Sequence, residues 1–182
     1  MVQSRGVRLW MGAPAFQVAS SGTPERSESP LSETVLYIIP SDPYWQPDQA
    51  ASSRAVALIE ELCPDALGDI ETDESDAPSF INGAGLDSLS CPRCGTQLDF
   101  HGWWMARMNE AYRDSSVSSL AVKVPCCGTD TTLNDLVYNV PSGFARFRVT
   151  VWSPNRRMLD DGELTRISDA LGHPVRQIWS LI

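Results

Sequence analysis

The chain has 182 residues, 42% of them hydrophobic, and a formal net charge of −9. That length and apolar content suit one folded domain of roughly 100–200 residues and exclude a wholly disordered polymer. No apolar run approaches the roughly 18 residues of a membrane span, and so acidic a chain has no bulk attraction for phosphate backbones.

Residues 1–32 read as a disordered leader. The apolar stretch Leu9–Phe16 behind Arg5 and Arg8 is short and broken by Pro14, which makes a poor signal peptide. Ser20–Pro30 has the Ser, Pro and Gly content of a linker. Residues 33–182 read as a single α+β domain. Val35-Leu36-Tyr37-Ile38-Ile39 is an apolar, β-branched run stopped by Pro40, the pattern of a buried strand. Asp48 is placed to cap a helix whose apolar face is Ala51, Ala55, Leu58, Ile59 and Leu62, with Pro64 ending it. Residues 65–87 hold seven carboxylates and no basic residue, and read as a solvated acidic loop with a short strand at Ser79-Phe80-Ile81. Calcium is not indicated there, because an EF-hand spacing would put Glu74 where glycine is required.

A cysteine-bearing segment, 88–130, follows. Trp103–Arg113 has helical character, Leu120–Val124 reads as a strand, and Thr131–Tyr138 as a short helix. Phe144–Trp152 alternates as a strand, with Phe144, Arg146, Arg148, Thr150 and Trp152 on one face and Ala145, Phe147, Val149 and Val151 on the other. Asp160 or Asp161 caps a helix bearing Leu164, Ile167 and Leu171, Gly172 suits its left-handed terminus, and Val175–Leu181 is a last strand. The order is strand–helix–strand, insert, strand–helix–strand. The expected fold is therefore a ferredoxin-like βαβ–βαβ sandwich interrupted by the insert, with helices on one face of a four-stranded sheet.

Four of the five cysteines fall in two pairs. Cys91-Pro92-Arg93-Cys94-Gly95 is a C-P-x-C-G turn, in which two thiolates three positions apart face one ion while turn N–H groups stabilise their charge. Val124-Pro125-Cys126-Cys127-Gly128 is an imperfect second turn of the same kind. Aligned on proline and glycine, Cys127 occupies a ligand position, Val124 replaces the other, and Cys126 stands out of register. Over residues 88–130 the chain resembles the zinc-ribbon group. The resemblance implies a structural Zn2+ held by Cys91, Cys94, Cys126 and Cys127, with His101 as the other candidate fourth ligand. A thioredoxin-type dithiol would need a strand-to-helix context that Cys91–Cys94 lacks, and a zinc deaminase would need an H-x-E element, whereas Gly102 and Trp103 follow His101. Cys63 ends an apolar helix face and reads as core.

No catalytic constellation survives. The chain has two histidines, His101 and His173, and Gly83-Ala84-Gly85 lacks the lysine and helix start of a phosphate loop. The expected function is that of a non-enzymatic binding protein with a structural zinc site and a protein partner. The alternative is a nucleic-acid-binding module using the zinc knuckle and the Arg146/Arg148 face. Net charge disfavours it, and these arginines are better suited to pairing with the 65–76 carboxylates. Paired, metal-type cysteines point to a reducing cytoplasm, and thirteen arginines against the single Lys123 to a GC-rich bacterial genome.

Overall fold

The computed structural model describes residues 33–112 and 119–182; the leader expected over 1–32 lies outside the described residues. The protein is of mixed α and β structure, built on an antiparallel four-stranded sheet. Strand β1, Thr34–Pro40, is followed by helix α1, Gln49–Leu62, and the long strand β2, Ile70–Ile81. After the insert come β7, Gly143–Trp152, helix α3, Asp161–Leu171, and β8, Val175–Leu181. The spatial order is β2-β7-β1-β8. Each strand–helix–strand passage thus leaves a one-strand gap that a strand of the other passage fills, and every neighbour is antiparallel.

Strand β1 is central, which explains its unbroken apolar run. Leu36 and Ile38 join the core beneath the helices, while Tyr37 and Ile39 join a second cluster with Ile81, Ala145 and Ile178. The helix-side core is completed by Phe147, Val149 and Val151 of β7, Ala55 and Ile59 of α1, and Ile167 and Leu171 of α3. Cys63 is buried in it, as expected.

The helix ends follow from their residues. Asp48 accepts a hydrogen bond from Ala51 N–H at 2.7 Å at the start of α1. Asp160 and Glu163 form a reciprocal capping box on α3, and Gly172 closes that helix at φ 86°. Replacing Asp160 by Ala removes the side-chain half of this box and is expected to cost about 1 kcal/mol, read as a lower urea midpoint with an unchanged slope.

Two expectations are corrected. Much of the stretch read as an acidic loop is strand: β2 begins at Ile70, nine residues before Ser79, with an irregularity in register between Glu74 and Ser79. Carboxylates are poor strand formers, but β2 is an edge and its acids find partners on β7. Asp73 sits directly across from Arg148 and accepts from its Nε at 2.9 Å, and Glu71 accepts from Trp152 Nε1 at 3.2 Å. A charged edge of this kind also resists unwanted strand pairing. The second correction concerns Thr131–Tyr138, which is no helix. Asp130–Thr132 is a strand, β5, Leu133–Asp135 is a single 3-10 turn, and Val137–Tyr138 is a strand, β6. Thr131 pairs with Val122 across a two-stranded ribbon, which holds the start of the segment extended, and Leu133 and Leu136 are buried in one cluster from the short turn that follows.

The excursion between β2 and β7 contains β3, Leu89–Ser90, paired with β6, and β4, Ala121–Lys123, paired with β5. A π-helical turn, Phe100–Trp104, runs into helix α2, Met105–Ala111. Leu89, Cys91, Leu98, Trp104, Met108, Leu120, Val124, Leu133 and Leu136 form one apolar cluster with Phe144 of the sheet. Phe144 therefore faces the insert and not an open sheet surface.

Candidate metal centre

The two cysteine turns are local copies of one another in their backbone bonding. In the first, Cys91 N–H donates to Thr96 O at 2.9 Å and Gly95 N–H to Cys91 O at 3.0 Å. In the second, Val124 N–H donates to Thr129 O at 3.0 Å and Gly128 N–H to Val124 O at 3.0 Å. Gly95 and Gly128 hold φ of 70° and 67°, a left-handed conformation that side chains other than glycine adopt only under strain. The equivalence is Cys91 with Val124, Cys94 with Cys127, and Thr96 with Thr129. Both members of the first pair are buried, at 1% and 0% exposure.

At the second turn the buried position equivalent to Cys91 is therefore occupied by valine. The missing thiol comes from the exposed tip, one residue before Cys127. All four sulfurs still converge: the Sγ atoms of Cys91, Cys94, Cys126 and Cys127 lie within 4.8 Å of one another. Cys94 Sγ is 3.4 Å from Cys126 Sγ, Cys91 Sγ is 3.7 Å from Cys127 Sγ, and Cys126 Sγ is 3.9 Å from Cys127 Sγ. A tetrahedral ion with metal–sulfur bonds of about 2.3 Å places its sulfurs about 3.8 Å apart, so these separations suit one ion at the centre. Among the described residues, this is the one group of histidine, cysteine and carboxylate side chains close enough to hold a metal. His101, the other candidate, is exposed on the π-helical turn and is not part of the group.

Two further residues support the sulfurs. Thr96 Oγ1 lies 3.3 Å from Cys94 Sγ, and Thr129 Oγ1 lies 3.2 Å from Cys127 Sγ. These hydroxyls and the backbone N–H groups of the same threonines favour the thiolate, drawing the Cys94 pKa down to about 6 and lowering that of Cys127. Cys126 has no such threonine. Desolvation, then hydrogen bonding within the sulfur cluster, pushes its pKa up to about 12. Without a cation the cluster thus keeps a proton on Cys126, and an ion binding all four sulfurs displaces it. The threonines were legible as a repeated Cys-Gly-Thr triplet, 94–96 and 127–129, which alignment on proline and glycine alone passes over.

No protein-family model matches the chain, and no curated protein or solved structure matches it either. The site must be read from its own chemistry.

The Arg146/Arg148 face differs from the metal centre in having its charges already engaged. Arg148 pairs with Asp73 at 2.9 Å and lies over the Tyr37 ring at 5.6 Å. Arg146 Nε donates to Ser75 O at 3.0 Å. The other singled-out residues are structural in their surroundings: Trp104 is buried in the insert core, Trp103 packs against it, and the His173 ring lies 4.6 Å from Trp45. No helix among the described residues is long and apolar enough to cross a membrane.

Proposed function

We propose that this is a non-enzymatic binding protein: a ferredoxin-like βαβ–βαβ domain carrying a zinc-ribbon-like insert. In this reading Cys91, Cys94, Cys126 and Cys127 hold one structural Zn2+ in the cytoplasm, and the fold presents a surface to a protein partner. The observation that carries it is the convergence of four sulfurs from two backbone-equivalent turns. Four thiolates leave a tetrahedral zinc no open position for substrate, the arrangement of structural sites. The antiparallel order β2-β7-β1-β8 with two strand–helix–strand passages supports the fold name. Four thiols kept at metal-binding separation are best maintained where thiols stay reduced.

Cobalt substitution tests the ligand set. Co2+ added to metal-free, reduced protein is expected to give the charge-transfer and visible bands of a tetrahedral four-thiolate complex, with the charge-transfer intensity reduced in Cys126→Ser and unchanged in His101→Ala. A spectrum that responds to His101 and not to Cys126 contradicts the assignment.

The second reading, nucleic-acid binding, has a specific feature in its favour: a groove of about 270 Å3 beside Arg146 and Arg148. Asp73 and Glu74 line the same groove, which works against a phosphate. The parent protein is expected to show no micromolar binding to single-stranded or duplex oligonucleotides by fluorescence anisotropy at physiological salt. Micromolar binding lost in Arg146→Ala/Arg148→Ala, with an intact circular dichroism spectrum and a flatter salt dependence, reverses the ranking.

A further inference from the structure

Cys126 occupies the tip of the second turn, where the first turn carries Arg93, and this has a chemical consequence. A ligand at the buried position is shielded as Cys91 is, at 1% exposure, whereas Cys94, Cys126 and Cys127 are all exposed. Two of the exposed sulfurs, from turns 32 residues apart in sequence, Cys94 and Cys126, lie 3.4 Å apart, against 3.7 Å for Cys91–Cys127 and 3.9 Å for Cys126–Cys127. An oxidant from solvent reaches Cys94 and Cys126 and is kept from Cys91. The neighbours Cys126 and Cys127 are poorly disposed to join each other, because a bond between adjacent residues closes a small, strained ring.

We propose that Cys94 and Cys126 are a peroxide-modification site whose oxidation to a disulfide expels the metal and ties the two turns together in its place. The proposal rests on the zinc reading above for its metal step, and on the sulfur geometry alone for its choice of partners. In the first step one of the two sulfurs attacks hydrogen peroxide, becoming a sulfenic acid and releasing hydroxide. In the second, the other sulfur attacks that sulfenic sulfur and hydroxide leaves. The two sulfurs together lose two electrons, one peroxide is reduced to two hydroxides, and protons from solvent convert these to water. Only Cys91 and Cys127 then remain as thiolates, too few for a closed tetrahedral site, and Zn2+ passes to solvent. Closing the gap from 3.4 Å to a bond of about 2.05 Å asks for a small movement of exposed turn tips. The product keeps the insert cross-linked between the same two turns, so reduction in the presence of zinc can regenerate the original site.

The test uses the full chain, purified under reducing conditions, freed of reductant and exposed to hydrogen peroxide. Zinc content is measured beforehand, release is followed with a colorimetric zinc indicator, and disulfides are mapped by non-reducing tryptic peptide mass spectrometry. Trypsin cuts after Arg93 and Lys123, which separates Cys91 from Cys94 and both from Cys126–Cys127. The expected result is one zinc released for each Cys94–Cys126 bond formed, with fragmentation between Cys126 and Cys127 placing the bond on Cys126. Dithiothreitol with added zinc should restore the metal. Cys126→Ser should lose the cross-link and Cys63→Ser should keep it. If either variant does not fold, the fragmentation of the unmutated protein still decides. A map dominated by Cys91, by a Cys126–Cys127 bond or by uncross-linked sulfinic acids overturns the proposal, as does zinc retained under excess peroxide. If the protein carries no zinc before peroxide is added, the zinc reading fails on that measurement, and the disulfide map still judges the Cys94–Cys126 pairing separately.

Discussion

Replacing Cys91 by Ser is expected to strip the protein of its metal and to lower its stability more than the loss of any other single ligand. Of the four clustered cysteines Cys91 alone is buried, in the insert core among Leu89, Leu98, Val124 and Leu133, and it is fixed by backbone bonds on both sides. Structural zinc sites supply about 10–16 kcal/mol of apparent binding energy in small peptides. Shared over four ligands, that is roughly 3 kcal/mol each, or about 100-fold in Kd. Cys126, at an exposed turn tip with no threonine beside it, is expected to matter less. Competition with a chromogenic chelator should therefore rank Cys91→Ser as the weakest zinc binder, Cys126→Ser as intermediate and Cys63→Ser as unchanged. Equal losses for Cys91→Ser and Cys63→Ser would mean that zinc, if present, is held elsewhere.

The second large effect is expected at Phe144. It is fully buried and joins β7 to the insert cluster, with its ring 4.9 Å from Phe80. Phe144→Ala should cost about 3–5 kcal/mol through lost burial and a cavity. For a chain of this size that lowers Tm by roughly 10 °C. Because the side chain belongs to both the sheet and the insert, intrinsic tryptophan fluorescence, which samples Trp104 in the insert and Trp152 on β7, should lose both environments in one transition. Two separated transitions, or a cost under about 1 kcal/mol, would show that the insert and the sheet are energetically independent.

The parts of the fold that were legible in sequence are those where local chemistry and tertiary position agree. The apolar run 35–39 is central and buried on both faces. Asp48, Asp160 and Gly172 sit at helix ends because the backbone groups there need an oxygen acceptor or a left-handed turn. β2 was hidden because its acids carry low strand propensity, and their partners Arg148 and Trp152 lie about eighty residues away, beyond any local window. The segment 131–138 was misread because apolar residues at 133 and 136 have helical spacing, while their burial is set by the two-stranded ribbons on either side. At the metal centre the first turn was plain and the second was not. Val124 keeps the packing role of Cys91 without its sulfur, and Cys126, out of register in the sequence yet counted there among the four sulfurs, stands within 4.8 Å of the other three in the structure. The same arrangement leaves His101 outside, which spacing alone left open.

Four cysteines from two equivalent turns are expected to hold a single zinc ion. Elemental analysis by inductively coupled plasma mass spectrometry, on protein prepared under reducing conditions without chelator, counts that ion. The expected result is one zinc per chain in the unmutated protein and none in Cys91→Ser/Cys94→Ser. Unmutated protein that is folded and reduced yet free of zinc, or zinc retained at full stoichiometry by the double variant, would contradict it.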